Sequence, residues 1–224
     1  MHLDREIEAL KGRTLSLAAR VEDALRNALK SVKERDATLA QRVIDSDAQI
    51  DGLEVALEEE CLKVLALHQP VANDLRFIIS IIKVTNELER IGDLASDVAE
   101  RAVALAEHEP QPIPAPVASM APKTQAMVKK ALDALVNMAP DLAREVCASD
   151  DEIDDCHRAM FAHAQEWLRR SPEDVEVILP WLSISRYLER VGDHATNIAE
   201  DVIYSVEGHI VRHRAEQAAK PTRR

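Results

Sequence analysis

The sequence predicts an all-α protein built from two tandem three-helix bundles related by internal duplication. Two observations carry this. Leu, Ala, Val, Ile, Glu, Asp and Arg dominate, with five glycines and 3% aromatic residues, a composition suited to long helices packed through aliphatic side chains. A thirteen-residue segment also occurs twice: Leu88 to Glu100 returns as Leu188 to Glu200 with eight identical positions. Chance does not produce such a match, so the halves are copies.

The elements follow from helical spacing. Ile7, Leu10, Leu17, Val21, Leu25, Ala28, Leu29 and Val32 recur at a helical period and predict a first helix from about Leu3 to Lys33. Asp36 reads as the N-cap of a second, running to about Leu67. His68-Gln69-Pro70 breaks the pattern, because proline lacks a donor and restricts the residue before it. A third helix follows from about Val71 to Glu107. Prolines 110, 112, 114 and 116 then alternate, which predicts an extended linker over 110–118. Beyond it a fourth helix is expected from about Ser119 to Met138, and a fifth from Pro140 to about Arg170. Ser171-Pro172-Glu173-Asp174 signals the start of a sixth, reaching about Val211, with a kink expected at Pro180. The repeats thus span 1–109 and 119–213, and a basic tail, 214–224, reads as frayed.

The second helices align too, Val43–Asp51 with Val146–Asp154. That offset is three residues larger than the one relating the third helices, so a deletion is expected at the turn between them.

Charge and motifs narrow the function. A net charge of −12 does not attract nucleic acid as a whole. Cys61, Cys147 and Cys156 lack disulfide or CxxC spacing, which suits a reducing compartment. Met1 to Leu10 has no uninterrupted apolar stretch of the signal-peptide kind, and Phe77 to Ile82 is too short to span a bilayer, so a cytoplasmic protein is expected. Phosphate-binding loops, dinucleotide fingerprints, a Glu-x-x-His motif and an activated nucleophile are all missing, so no enzyme is expected.

What remains is acid. Glu89, Asp93 and Asp97 lie at i, i+4, i+8, one stripe with steps of about 6 Å along a helix. Glu189, Asp193 and Asn197 repeat them, while Asp47 with Asp51, and Asp150 with Asp154, supply a facing pair in each half. Facing pairs make an all-oxygen site for hard cations such as Mg²⁺, Mn²⁺, Ca²⁺ or Fe³⁺. The competing reading is an ordinary solvated acidic face that duplication has copied. Gly92, Ala95 and Ala99, repeated as Gly192, Ala195 and Ala199, predict close backbone approach at a helix crossing. Arg90 and Arg190 are expected to pair with acids of a neighbouring helix, with binding of a small anion as the alternative, His194 to be semi-buried, and Trp167 and Trp181 to anchor the core or its rim.

The duplicated Leu-Glu-Arg-[Ile/Val]-Gly-Asp, with Gln69 to Arg76, resembles the PhoU family of phosphate-transport regulators over nearly the whole chain. The resemblance implies metal-binding [Glu/Asp]-x-x-x-Asp pairs, here Asp47 with Asp51, Glu89 with Asp93, Asp150 with Asp154 and Glu189 with Asp193; Asp97 is a weaker candidate. Iron, zinc, manganese or magnesium are the metals it brings into view. It further implies a negative regulator, an adaptor between a phosphate ABC transporter ATPase and a membrane sensor histidine kinase, forming a homodimer and touching the membrane only through partners. A metal-dependent hydrolase and a purely structural scaffold are the alternatives. Asn197, where the first copy has Asp97, is expected to weaken the second site.

Overall fold

A computed structural model describes residues 2–208. Six helices follow in order: α1 His2–Glu34, α2 Ala37–His68, α3 Ala72–Ala106, α4 Ala115–Asn137, α5 Pro140–Arg170 and α6 Val175–Glu207. Among the described residues there is no strand. The expected end of the sixth helix near Val211, and the basic tail, lie outside them.

Helix starts and stops have local causes. Asp36 caps α2 as expected, its carboxylate accepting from the Leu39 N–H at 2.9 Å. The bends ending α1 and α4 are equivalent, since Arg35 and Met138 both take left-handed backbone, with φ of 54° and 48°. Two expectations change. α4 begins at Ala115 rather than near Ser119, because Pro114 is its N-cap and Pro116 falls in the first turn, where N–H groups have no helical partner anyway. The extended linker is correspondingly shorter than 110–118. The sixth helix does not start by a Ser171 cap; Pro172–Asp174 winds as a 3-10 turn before α6, and no side-chain cap bond forms at Ser171. Asp174 instead accepts from the Trp167 indole at 2.7 Å. Pro180 interrupts the ladder without ending α6.

Three residues, Gln69 to Val71, join α2 to α3, whereas Ser171 alone joins α5 to the 3-10 turn. Much of the three-residue deletion therefore sits at this turn, as the offsets predict.

Helices α1–α3 form one bundle and α4–α6 the other, and α3 lies along α6 in the most extensive helix pair of the molecule. One apolar core runs through both bundles, including Leu17, Leu57, Ile78, Leu88 and Ile91 in the first and Met120, Ile153, Ile178, Ile184 and Leu188 in the second. Polar ties cross the α3–α6 junction. The buried Asp201 carboxylate receives Lys83 Nζ at 3.3 Å, and that ammonium sits 5.1 Å from the Tyr204 ring centroid. Glu87 binds His194 Nδ1 at 2.7 Å and Asn197 Nδ2 at 3.0 Å.

A candidate metal centre between the second and third helices

Burial of the apolar stripes turns α2 against α3, and this brings the acids of the two helices together. One carboxylate oxygen from each of Asp47, Asp51 and Asp93 lies within 4.8 Å of the others. Burial, then the charges of Asp93, Asp51 and Asp97, push the Asp47 carboxyl up to about 6. Burial, with neighbouring carboxylates, also raises Glu89, Asp93 and Asp97 above the ordinary carboxylate range. Asp47 Oδ1 is buried with no hydrogen-bond partner, while the buried Glu89 Oε2 has an ion-pair contact to Arg90 Nε at 3.5 Å but no hydrogen bond. An unpaired acceptor within a cluster of negative charge is costly, and a hard cation would satisfy both needs at once. The donor set therefore fits a metal ion.

The second half is built alike but is looser. The Asp150 carboxyl also rises to about 6, through burial and then Asp193, Asp154, Asp151 and Glu189, and burial raises Asp193. No second triad of His, Cys, Asp or Glu among the described residues converges as tightly as the first. Asp154 is drawn to Arg158, 3.6 Å away, one turn along its own helix.

One sequence expectation is corrected here, and two positions gain partners that the sequence did not show. Asn197 directs its amide across the bundle junction to Glu87. His194 is semi-buried, as expected, and binds the same carboxylate. Two of the five positions at which the second motif departs from the first thus serve contact between the bundles. The glycines admit side chains rather than backbone: a Cβ on Gly92 would lie 3.1 Å from Ile50 Cδ1 and Cγ2, and one on Gly192 would lie 3.4 Å from Asp150 Oδ1.

One residue enters the site that composition and spacing did not single out. Glu54, three residues beyond Asp51 on the same face of α2, is raised by burial and then by Glu58 and Asp51, and its charge acts in turn on Glu89. Its i+3 spacing was a usable signal. Arg190 of α6 offsets part of the rise at Asp93 and Asp97, so the first cluster draws a counter-charge from the second bundle. Arg90 instead pairs with adjacent Glu89 at 3.5 Å. Trp181 is a core residue.

Among the described residues, no catalytic arrangement accompanies the acids. His157 Nδ1 lies 3.0 Å from Ser185 Oγ, but Ser185 is fully buried and its hydroxyl serves the Leu182 carbonyl. Burial pushes the thiols of Cys61 and Cys147 up to about 11, far from thiolate reactivity.

Comparison with known proteins places this architecture. A family profile described as "PhoU domain" matches residues 14–102 and again 117–202, one match per bundle. The chain belongs to the PhoU family. It is 39% identical over 209 residues to the phosphate-specific transport system accessory protein PhoU homolog of Pseudomonas aeruginosa, covering 93% of this chain and 86% of the relative. The crystal structure of PhoU from Pseudomonas aeruginosa superposes with a TM-score of 0.89 at 38% identity, over 92% of this chain and 99% of the other. That of the phosphate transport system regulatory protein PhoU from Streptococcus pneumoniae gives 0.84 at 27%, over 93% and 99%. PhoU proteins carry accessory and regulatory names, and the family is not one of enzymes.

Two predictions arise from this geometry. Gly92→Ala gains about 1 kcal/mol of helix propensity but presses a methyl into Ile50, and overpacking of this kind costs about 1–3 kcal/mol. A net loss is expected at Gly92, whereas Gly192→Ala, meeting ordinary contact distances, is expected to be neutral or mildly stabilising; urea unfolding of the two variants checks the difference. The second concerns pH. Asp47 and Asp150 hold their protons up to about 6 in the folded state and to roughly 4 when unfolded. The folded state therefore binds more protons in this window, and stability must fall as pH rises from about 4 to about 6. The penalty stands in full above that range. Both groups are partly exposed, so solvent screening holds the effect to on the order of 1 kcal/mol each. Chelator-treated protein should melt higher at pH 5 than at pH 7, and Asp47→Asn should flatten the difference; equal melting points would count against the raised carboxyls.

Proposed function

We propose that this chain is an accessory regulator of phosphate-specific transport that restrains phosphate uptake and phosphate-starvation signalling when phosphate is plentiful. The observation that carries the reading is the match of both bundles to the PhoU domain, together with 39% identity to the Pseudomonas aeruginosa accessory protein. In this proposal the chain is a cytoplasmic, homodimeric adaptor. It bridges the ATPase of a phosphate ABC transporter and a membrane sensor histidine kinase, and reaches the membrane only through them. No helix among the described residues is long and apolar enough to cross a membrane, which suits that role.

Metal binding is part of the same proposal. Asp47, Asp51, Glu89 and Asp93 would hold an ion in the first bundle, with Asp97 at its margin. Asp150, Asp154, Glu189 and Asp193 would hold one in the second. A bound cation would supply positive charge that lets these carboxylates converge without mutual repulsion. The chain's own residues set the rest: α2 and α3 fix the spacing, Ile50 packs beside Gly92 below the first cluster, and Arg190 supplies charge from the other bundle. The oxygen donors suit manganese, magnesium or iron, and zinc remains within their chemistry.

The test is a clean deletion carrying a phosphate-starvation reporter. Derepression in high phosphate, reversed by the intact gene, is the expected result. A reporter that stays silent after deletion would remove the regulatory reading.

A further inference from the structure

In an acidic protein, two helices carry more bases than acids. α1 carries seven Lys and Arg against six Asp and Glu, and α4 three against one; in every other helix acids outnumber bases. These two helices are neighbours, but they pack on each other only slightly, and a groove of about 450 Å³ opens between them. Its floor is apolar, including the partly exposed Leu29, Ile113 and Ala121. Along the α1 wall stand Arg26, Lys30 and Lys33, with Glu34 the single acid of the lining. The α4 wall is uncharged, and Pro122 within it cannot donate to the Ala118 carbonyl, leaving a backbone acceptor without its helical partner.

The basic side chains are available. Arg26 pairs with Asp23 at 2.5 Å and Lys30 with Glu34 at 3.8 Å, both exposed pairs within one helix. Such pairs contribute only a few tenths of a kcal/mol and exchange readily for a better partner. Lys33 is exposed and has no ion pair among the described residues.

We infer that the α1–α4 groove is a docking site for an acidic amphipathic helix of a partner protein. The apolar floor takes the helix's apolar stripe, while Arg26, Lys30 and Lys33 meet carboxylates along one of its flanks. A concave trough between two helices suits a third helix, which packs at 8–10 Å from its neighbours. A flat anionic membrane would meet the basic wall without reaching the floor. This inference rests on the adaptor reading by naming what a partner must present, yet it fails separately: the reporter assay judges regulation, and peptide binding judges the groove.

The test uses the full chain and a fluorescein-labelled helical peptide with Leu on one face and Glu on the other, followed by anisotropy. A second peptide has Lys in place of every Glu. Saturable binding of the Glu peptide, at least tenfold tighter than the Lys peptide and weakened by salt, is expected. Lys30→Glu with Lys33→Glu, both surface positions, should reverse that preference while circular dichroism stays unchanged. Ala121→Trp, which fills the trough without altering charge, should weaken the Glu peptide at least tenfold. The proposal is overturned if the Glu peptide does not saturate, or if the charge reversal leaves its affinity unchanged. It is equally overturned if only phosphatidylglycerol vesicles bind, or if the groove substitutions act solely by abolishing association of the chain with itself.

Discussion

Leu188→Ala should destabilise the chain by about 2–5 kcal/mol, and Leu88→Ala by a similar amount. Both side chains are fully buried, at the same place in the two copies of the repeated motif, on the two helices that pack most extensively. Removing three carbon atoms from either core loses their transfer free energy and leaves a cavity that stiff neighbouring helices close only in part. For a domain of this size each kcal/mol lowers the melting temperature by about 2–4 °C. Urea unfolding with paired thermal melts reads the effect. A loss below about 1 kcal/mol in both variants would mean that the α3–α6 junction is not the shared core described above.

The second large effect is one of sign. Without metal, Asp47, Asp51, Glu89 and Asp93 repel one another and the buried Asp47 Oδ1 has no hydrogen-bond partner. Chelator-treated Asp47→Asn/Asp93→Asn protein is therefore expected to be more stable than chelator-treated wild type. Adding Mn²⁺ should reverse the order. At about one hundred times its dissociation constant a ligand adds about 2.7 kcal/mol, or about 5–10 °C here, and only the wild-type cluster should collect that gain in full. Emission from Trp167 and Trp181 follows both melts. If the stripped variant melts below stripped wild type, or Mn²⁺ shifts the two equally, the first cluster is not a metal site.

Much of this architecture was legible in the sequence because its causes are local or repeated. The Asp36 cap, the break at Gln69-Pro70 and the start at Pro140 are written in the residues that make them. The duplication needed only self-comparison. What escaped reading were effects of position within a helix and of contact between bundles. Pro116 was read as a breaker although a first-turn proline forfeits no hydrogen bond, so α4 starts earlier than expected. Gly92 looked like a point of backbone contact, whereas Ile50 fills the space, a distinction that periodicity does not contain. His194 read only as a semi-buried ring and Asn197 only as a lost charge, because their partner Glu87 lies 107 and 110 residues away in the chain. Of the acids, spacing found both stripes, but only packing shows that Asp47, Asp51 and Asp93 converge while Asp154 is held by Arg158.

The most direct measurement is the metal content of purified protein after equilibration with Mn²⁺, Fe²⁺ or Zn²⁺ and desalting, for wild type and for Asp47→Asn/Asp93→Asn. The account predicts at least one tightly held ion per chain in wild type and loss of one in the variant. Metal-free wild type under every condition, or equal content in both proteins, would contradict it.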